Sequence, residues 1–187
     1  MINVALFASG EGTNAENLIK HFAKDSRIRI KLIITNNAEA GVVAKANQYN
    51  KTVQIVSRES LEKYSNQLVE FLQVEKIDLI VLAGFLLKLP VEFIRAFPNR
   101  IINIHPSLLP KFGGKGMYGK RVHEAVLANK EKTSGVTVHY VNEAYDEGEI
   151  ILQASCPVTE TDTIDSLSAK IRILEFECLP KAIEKFL

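Results

Sequence analysis

Short apolar runs alternate with stretches of helical spacing along the first half of the chain, and this alternation limits the folds available to it. The runs cover residues 2–8, 28–35, 78–84 and 101–105, are rich in aliphatic and β-branched residues, and are too short to be buried helices. Between them, residues 13–22 and 40–49 read as helices, and 61–75 places Leu61, Leu68, Phe71 and Leu72 at helical spacing. A short strand is expected at 53–56 and a short helix at 91–97. Strands apolar on both faces must be covered on both faces. The rhythm therefore predicts an α/β fold, a mostly parallel sheet with helices on both sides.

The pattern changes after residue 106. A loop rich in Gly and Lys runs to residue 120, and a helix is expected over 122–129. Two strands, 135–141 and 150–158, are joined by the polar NEAYDEGE and predict an antiparallel C-terminal pair; a last helix spans 163–186. A length of 187 residues suits one domain, and the near balance of charge, net +1, gives no general attraction to nucleic acid or membrane. The N-terminal apolar run is too short to span a membrane and reads as the first strand. Two cysteines make no disulfide framework, and no Cys/His cluster has zinc spacing. A cytoplasmic protein without a metal is the expectation.

Ligands of parallel sheets sit outside the carboxyl ends of the strands, and two motifs fall there. SGEGTNA (9–15) joins the first strand to the first helix, where backbone amides can hold a phosphate and Thr13 and Asn14 add donors. Gly10, Gly12 and Ala15 match a dinucleotide fingerprint, but Thr35, Asn36 and Asn37 stand where the ribose-binding acid belongs, so the phosphate is kept and the dinucleotide rejected. The second motif is IINIHPSLLP (101–110). Asn103 and His105 share one face of a strand and aim an amide and an imidazole at one volume, either as a buried hydrogen-bonded pair or as a catalytic one. GKGMYGK (114–120) has P-loop spacing, yet Arg121 replaces the Ser or Thr that binds magnesium, and no strand precedes it. It reads as a surface loop whose lysines attract anions. His21, His123 and His139 read as surface or structural residues. Asp146, in YDEGE, matters only if its loop folds back toward His105, and Arg172 and Glu175 share a face of the last helix.

Taken together, SGEGTN, LAGFLLKL, INIHPSLLPKF, SGVTVHYVNEAYDEGEIILQ and ILEFECLP resemble the folate-dependent glycinamide ribonucleotide formyltransferases of purine synthesis, over nearly the whole chain. The resemblance implies a Rossmann-like three-layer formyltransferase fold over residues 1–187, with a nucleotide-binding half (1–105) and a folate-binding and catalytic half (106–187). It implies transfer of the formyl group of 10-formyltetrahydrofolate, as cosubstrate, to the amine of 5'-phosphoribosylglycinamide, with no metal. Asn103 would donate to the developing oxyanion, His105 would act as general acid, and Asp146 would hold the imidazolium and help move the amine proton. Gly12, Thr13 and Asn14 would bind the ribonucleotide phosphate, and Arg172 and Glu175 would complete that site. Leu86, Leu87 and Leu89, with Asn103 and with Val141, Asn142, Tyr145 and Asp146 of the 141–146 loop, would line the folate pocket. The partners implied are small molecules alone, for a monomer or homodimer.

The chain departs from the family pattern in several places. Relatives commonly carry Met-Arg after LAGF where this chain has Leu86 and Leu87, and Leu61 stands where another arginine is expected, with Arg58 nearby. Arg172 replaces a frequent glutamine. Formyltetrahydrofolate hydrolases share the trio but read NIHHSFLP, methionyl-tRNA formyltransferases are longer, and a sugar-nucleotide formyltransferase fits SGEGTN less well. A non-catalytic nucleotide-binding module leaves NIHPSLLP without a purpose.

Overall fold

The computed structural model describes residues Met1–Leu187 and divides into two compact units. The first comprises Met1–Ile102 with Phe186–Leu187, the second Asn103–Lys185. The seven strands follow the order β3-β2-β1-β4-β5-β6-β7. No helix is long and apolar enough to cross a membrane.

In the first unit, β1 (Ile2–Phe7), β2 (Ile28–Thr35), β3 (Thr52–Ile55) and β4 (Leu79–Leu82) pair in parallel. β1 joins β4 from Val4 opposite Leu79 to Phe7 opposite Leu82. All four residues of β4 and the last four of β1 are buried, which is why LIVL and VALF read as unbroken apolar runs. The connecting helices are α1 (Thr13–His21), α2 (Gly41–Gln48), α3 (Arg58–Lys63), α4 (Ser65–Val74) and α5 (Val91–Ala96). The core gathers around Phe7, whose ring meets Phe85 and Phe93 edge to face at 5.2 and 6.2 Å.

One expected helix becomes two. Ser57 caps α3 by accepting from the Ser60 amide at 3.1 Å, so helix starts three residues earlier than the apolar spacing indicates. Tyr64 (φ −118°, ψ 30°) then leaves helical geometry and separates α3 from α4. The buried positions, Leu61, Ser65, Val69 and Leu72, keep helical spacing across the break, and that continuity hides it from a periodicity argument.

In the second unit, β6 (Thr133–Tyr140) and β7 (Ile150–Pro157) form an antiparallel hairpin whose register shifts between Val138 and His139. β6 is buried from Ser134 to His139, while β7 alternates between exposed and half-buried positions. β5 (Ile101–His105) enters this unit at Asn103, and α6 (Lys120–Ala128) and α7 (Ile164–Glu184) are its helices. α7 begins with a capping box in which the Thr163 and Ser166 side chains each accept from the other's backbone amide, at 3.2 and 2.9 Å.

Candidate active site

β5 ends at His105, and its two-residue period puts Asn103 and His105 on one side of the strand. Two hydroxyls help to hold the chain beyond. Thr137 Oγ1 donates to the Ser107 carbonyl at 2.7 Å and accepts from the Leu109 amide at 3.0 Å and from Gln153 Nε2 at 2.8 Å. Ser107 Oγ donates to the Lys111 carbonyl at 2.6 Å. These bonds set the loop that ends at Phe112, a non-glycine residue at φ 56°, whose carbonyl accepts from His105 Nε2 at 2.8 Å. A carbonyl oxygen only accepts, so Nε2 carries a hydrogen and Nδ1 is the nitrogen that looks elsewhere.

It looks at Asp146. The 141–149 connection folds back toward His105, with Asp146 at φ 56°. Its Oδ2 accepts from the Gly114 amide at 2.9 Å and lies 3.6 Å from His105 Nδ1, while Oδ1 lies 3.7 Å from His139 Nε2. The carboxylate therefore stands between two imidazoles with one oxygen toward each. The side chains of His105 and Asp146 are 5% and 13% exposed, so water screens this pair poorly. Gly113 makes the close approach possible: a Cβ there would lie 2.5 Å from Leu109 Cδ2 and 3.3 Å from Asp146 Cβ. GKGMYGK follows the 107–112 loop and not a strand, unlike a P-loop. Gly114, Gly116 and Gly119 all have positive φ, Arg121 lies over the Tyr118 ring at 4.9 Å, and the Gly114 amide serves Asp146.

His139, which reads from the sequence as a structural residue, is buried within hydrogen-bond reach of Asn103 and lies beside Asp146. Its Nδ1 lies 2.8 Å from the Tyr140 carbonyl, which forces Nδ1 to be the donor. Burial lowers its pKa below the usual imidazole value; the Tyr140 carbonyl and Asp146 pull the other way, and His105 adds to the lowering. The neutral ring then offers Nε2 as an acceptor, and Asn103 Nδ2 donates to it at 3.1 Å. This fixes which end of the Asn103 amide is nitrogen. The available signal was the strand period, since Thr137 and His139 lie two apart in GVTVHY, on one face. His123, on α6, is buried, and burial lowers its pKa as well.

In the first unit, the SGEGTN turn joins β1 to α1. Gly12 caps α1 at φ 68°, and a Cβ on it would meet Val42 Cβ and Cα at 2.6 and 2.7 Å. Two reasons thus require glycine: the left-handed backbone and the approach of α2. Thr13 is half-buried and Asn14 buried. Ser9 ties three strand ends together, its hydroxyl donating to Asn36 Oδ1 at 2.5 Å and accepting from the Leu86 amide at 2.9 Å, while its own amide donates to the Gly84 carbonyl at 3.0 Å. Asn36, where a ribose-binding acid was sought, is thereby occupied with Ser9.

Of the expected folate-lining residues, Leu86 is 55% exposed, whereas Leu87 and Leu89 belong to the buried set of this unit. Leu61, at the place of an expected arginine, is buried too, and Arg58 is exposed. In the second unit, Val141 is half-buried, Tyr145 is exposed, and exposed Asn142 accepts from the Ala144 amide at 3.0 Å. Arg172 is exposed and Glu175 half-buried on α7.

Comparison with known proteins bears directly on this arrangement. The model of the formyl transferase family matches residues 2–183. The chloroplastic phosphoribosylglycinamide formyltransferase of Arabidopsis thaliana is 39% identical over 174 residues, covering 90% of this chain and 59% of that protein. The phosphoribosylglycinamide formyltransferase of Haemophilus influenzae is 33% identical over 190 residues, covering 100% of this chain and 87% of that one. The crystal structure of phosphoribosylglycinamide formyltransferase from Bacillus halodurans has a TM-score of 0.89 at 36% identity, covering 99% of this chain and 95% of that chain. The chain thus spans 59% of the length of its Arabidopsis relative and most of the length of the bacterial ones.

Proposed function

The chain belongs to the formyl transferase family, and from that premise we propose that it transfers the formyl group of 10-formyltetrahydrofolate to the amine of 5'-phosphoribosylglycinamide, in purine (IMP) synthesis. The observation that carries this reading is the Asp146 carboxylate, set between His105 and His139 beside the Asn103 amide.

Acyl transfer to an amine needs a donor where negative charge builds on oxygen and an acceptor for the proton the amine loses. Asn103 fits the first need. One of its amide hydrogens goes to His139 Nε2, and the second is available to the formyl oxygen, where it strengthens as charge develops. His105 directs Nε2–H to Phe112 and presents Nδ1 to Asp146; a proton held on Nδ1 makes the ring a cation that favours the same charge. Asp146 is the group placed to receive the amine proton, directly or through water. Gly12, Thr13 and Asn14 at the start of α1 suit a ribonucleotide phosphate, with Arg172 and Glu175 assigned to the same substrate. Leu86, Leu87, Leu89, Val141, Asn142 and Tyr145 are assigned to the folate. No arginine follows LAGF, so the folate carboxylates must find their cation elsewhere than at Leu86 and Leu87. The two cysteines are free thiols, which suits a cytoplasmic enzyme.

The test is tetrahydrofolate release measured with and without the ribonucleotide. Release that requires the ribonucleotide supports the transferase. Release without it means a hydrolase and overturns the reading, and so does no release at all.

A further inference from the structure

The β6–β7 hairpin makes its register shift at His139, opposite Ile150, and closes with the Tyr140 amide donating to the Glu149 carbonyl at 2.9 Å. Bulges of this kind re-aim a side chain beside a functional site. Here the residue left unpaired is Ile151 of β7, opposite the step from Val138 to His139, and the atom that fixes the His139 tautomer is the Tyr140 carbonyl oxygen. Gly148 lies against that oxygen. A Cβ on Gly148 would sit 1.7 Å from the Tyr140 oxygen, 2.7 Å from its carbonyl carbon and 3.5 Å from His139 Nδ1. The first distance is about half of an ordinary carbon–oxygen contact of ~3.3 Å. The φ of Gly148 is not among the positive ones, so the backbone conformation would admit alanine and the space would not.

We propose that Gly148 is a positioning residue of this site: by leaving room for the Tyr140 carbonyl it locks the His139 tautomer, and through His139 the direction in which Asn103 presents its amide. The relay has three links. The Tyr140 oxygen forces Nδ1 to donate at 2.8 Å, the bare Nε2 accepts from Asn103 Nδ2 at 3.1 Å, and Asn103 is left one hydrogen to give. A side chain at 148 pushes the carbonyl away and frees the ring to move its hydrogen to Nε2. That hydrogen then faces Asp146 Oδ1, 3.7 Å away, and Asn103 must turn its oxygen toward the ring. The donor needed for the reaction leaves its place, while Asn103, His105 and Asp146 are all still present.

The value of the lock to turnover rests on the proposed transferase activity; the lock itself does not. The experiment combines imidazole 15N NMR with steady-state kinetics on the full chain. In the wild type, one histidine is expected to hold the Nδ1–H tautomer above about pH 6.5, the ordinary imidazole value, and this signal should vanish in His139→Gln. Gly148→Ala should abolish or mix that tautomer and lower kcat roughly 10- to 100-fold, with the ribonucleotide KM kept. His139→Gln, which retains an acceptor near the Nε2 position, should recover most of the turnover that His139→Leu loses. Adding Gly148→Ala to His139→Gln should then cost little more, since no tautomer is left to lock. A wild-type His139 that is cationic or Nε2-protonated overturns the proposal, as does a Gly148→Ala enzyme that loses the tautomer and keeps its kcat. If Gly148→Ala fails to fold, the wild-type spectrum and the Gln/Leu pair still decide. If the protein transfers no formyl group, the activity reading fails, while the spectra of wild type and Gly148→Ala still test the lock.

Discussion

The glycine turn at the end of β1 and the carboxylate–imidazole cluster beyond β5 are built by opposite means. At the turn, backbone sets the shape: Gly12 takes a left-handed φ of 68°, α1 starts directly after it, and Val42 fills the space a side chain would need. In the cluster, side chains do the work across long stretches of chain. Asn103 meets His139 at a separation of 36 residues, and Gly114 meets Asp146 at 32. A site made of backbone follows from local conformation and tolerates change in its side chains. A site made of side chains depends on every element that aims them.

Four measurements would break or sharpen this contrast. The largest effect is expected in the cluster. His105→Ala and Asp146→Asn should each lower turnover by about 10³-fold or more, with ribonucleotide affinity measured by calorimetry nearly unchanged. Thr13→Ala should do the reverse, keeping kcat and weakening affinity by about 0.5–1.5 kcal/mol, the worth of one hydrogen bond. Turnover that survives both cluster variants would remove the distinction.

Next comes a pair of fully buried residues. Phe93→Ala in the first unit should cost about 3–5 kcal/mol of stability in denaturant titration. Thr137→Val in the second should cost less, about 1–3 kcal/mol, because it strips partners from the buried backbone of the 107–112 loop. Yet Thr137→Val should also lower kcat, since that loop carries the carbonyl that holds His105, whereas Phe93→Ala should not at a temperature where it is folded. Gly12→Ala follows, with about 1–2 kcal/mol for the left-handed backbone and a further cost for the contact with Val42, read as a lower unfolding midpoint and a raised ribonucleotide KM.

The smallest effect is a pH dependence. His139 and His123 have pKa values lowered by burial, so below about 6.5 the unfolded chain takes up protons that the native state refuses. Their contribution to stability is therefore full above that pH and declines as pH falls through it. The denaturation midpoint should be lower at about pH 5.5 than at 7.5, and His123→Asn should reduce the difference; a midpoint that His123→Asn leaves equally pH-dependent would show that His123 accepts its proton in the native state.

The fold was legible because its signals are local. A strand buried on both faces is a continuous apolar run, as LIVL of β4 is, and the interrupted runs 28–35 and 101–105 are found at those same residues as β2 and β5. Turn chemistry placed the glycine at the start of α1 in the same way. The misjudged helix shows the limit of this kind of signal: Leu61, Ser65, Val69 and Leu72 keep one face across Tyr64, so nothing in the spacing marks the break.

The site divides along the same line. The two-residue period of β5 was enough to pair Asn103 with His105 and to make them candidates. Whether Asp146 turned back toward them depended on a left-handed residue in the 141–149 loop and on a Gly114 amide. In β6 the same period set His139 on the face of Thr137, but a buried strand position alone named no partner for it. Its lowered pKa follows from burial, its tautomer from a carbonyl one residue along, and its partnership with Asn103 from the pairing of distant segments. Period and turn type belong to neighbours in the chain and can be read there. Protonation, tautomer and the direction of an amide depend on which atoms come within hydrogen-bond reach, and only the packed chain decides that.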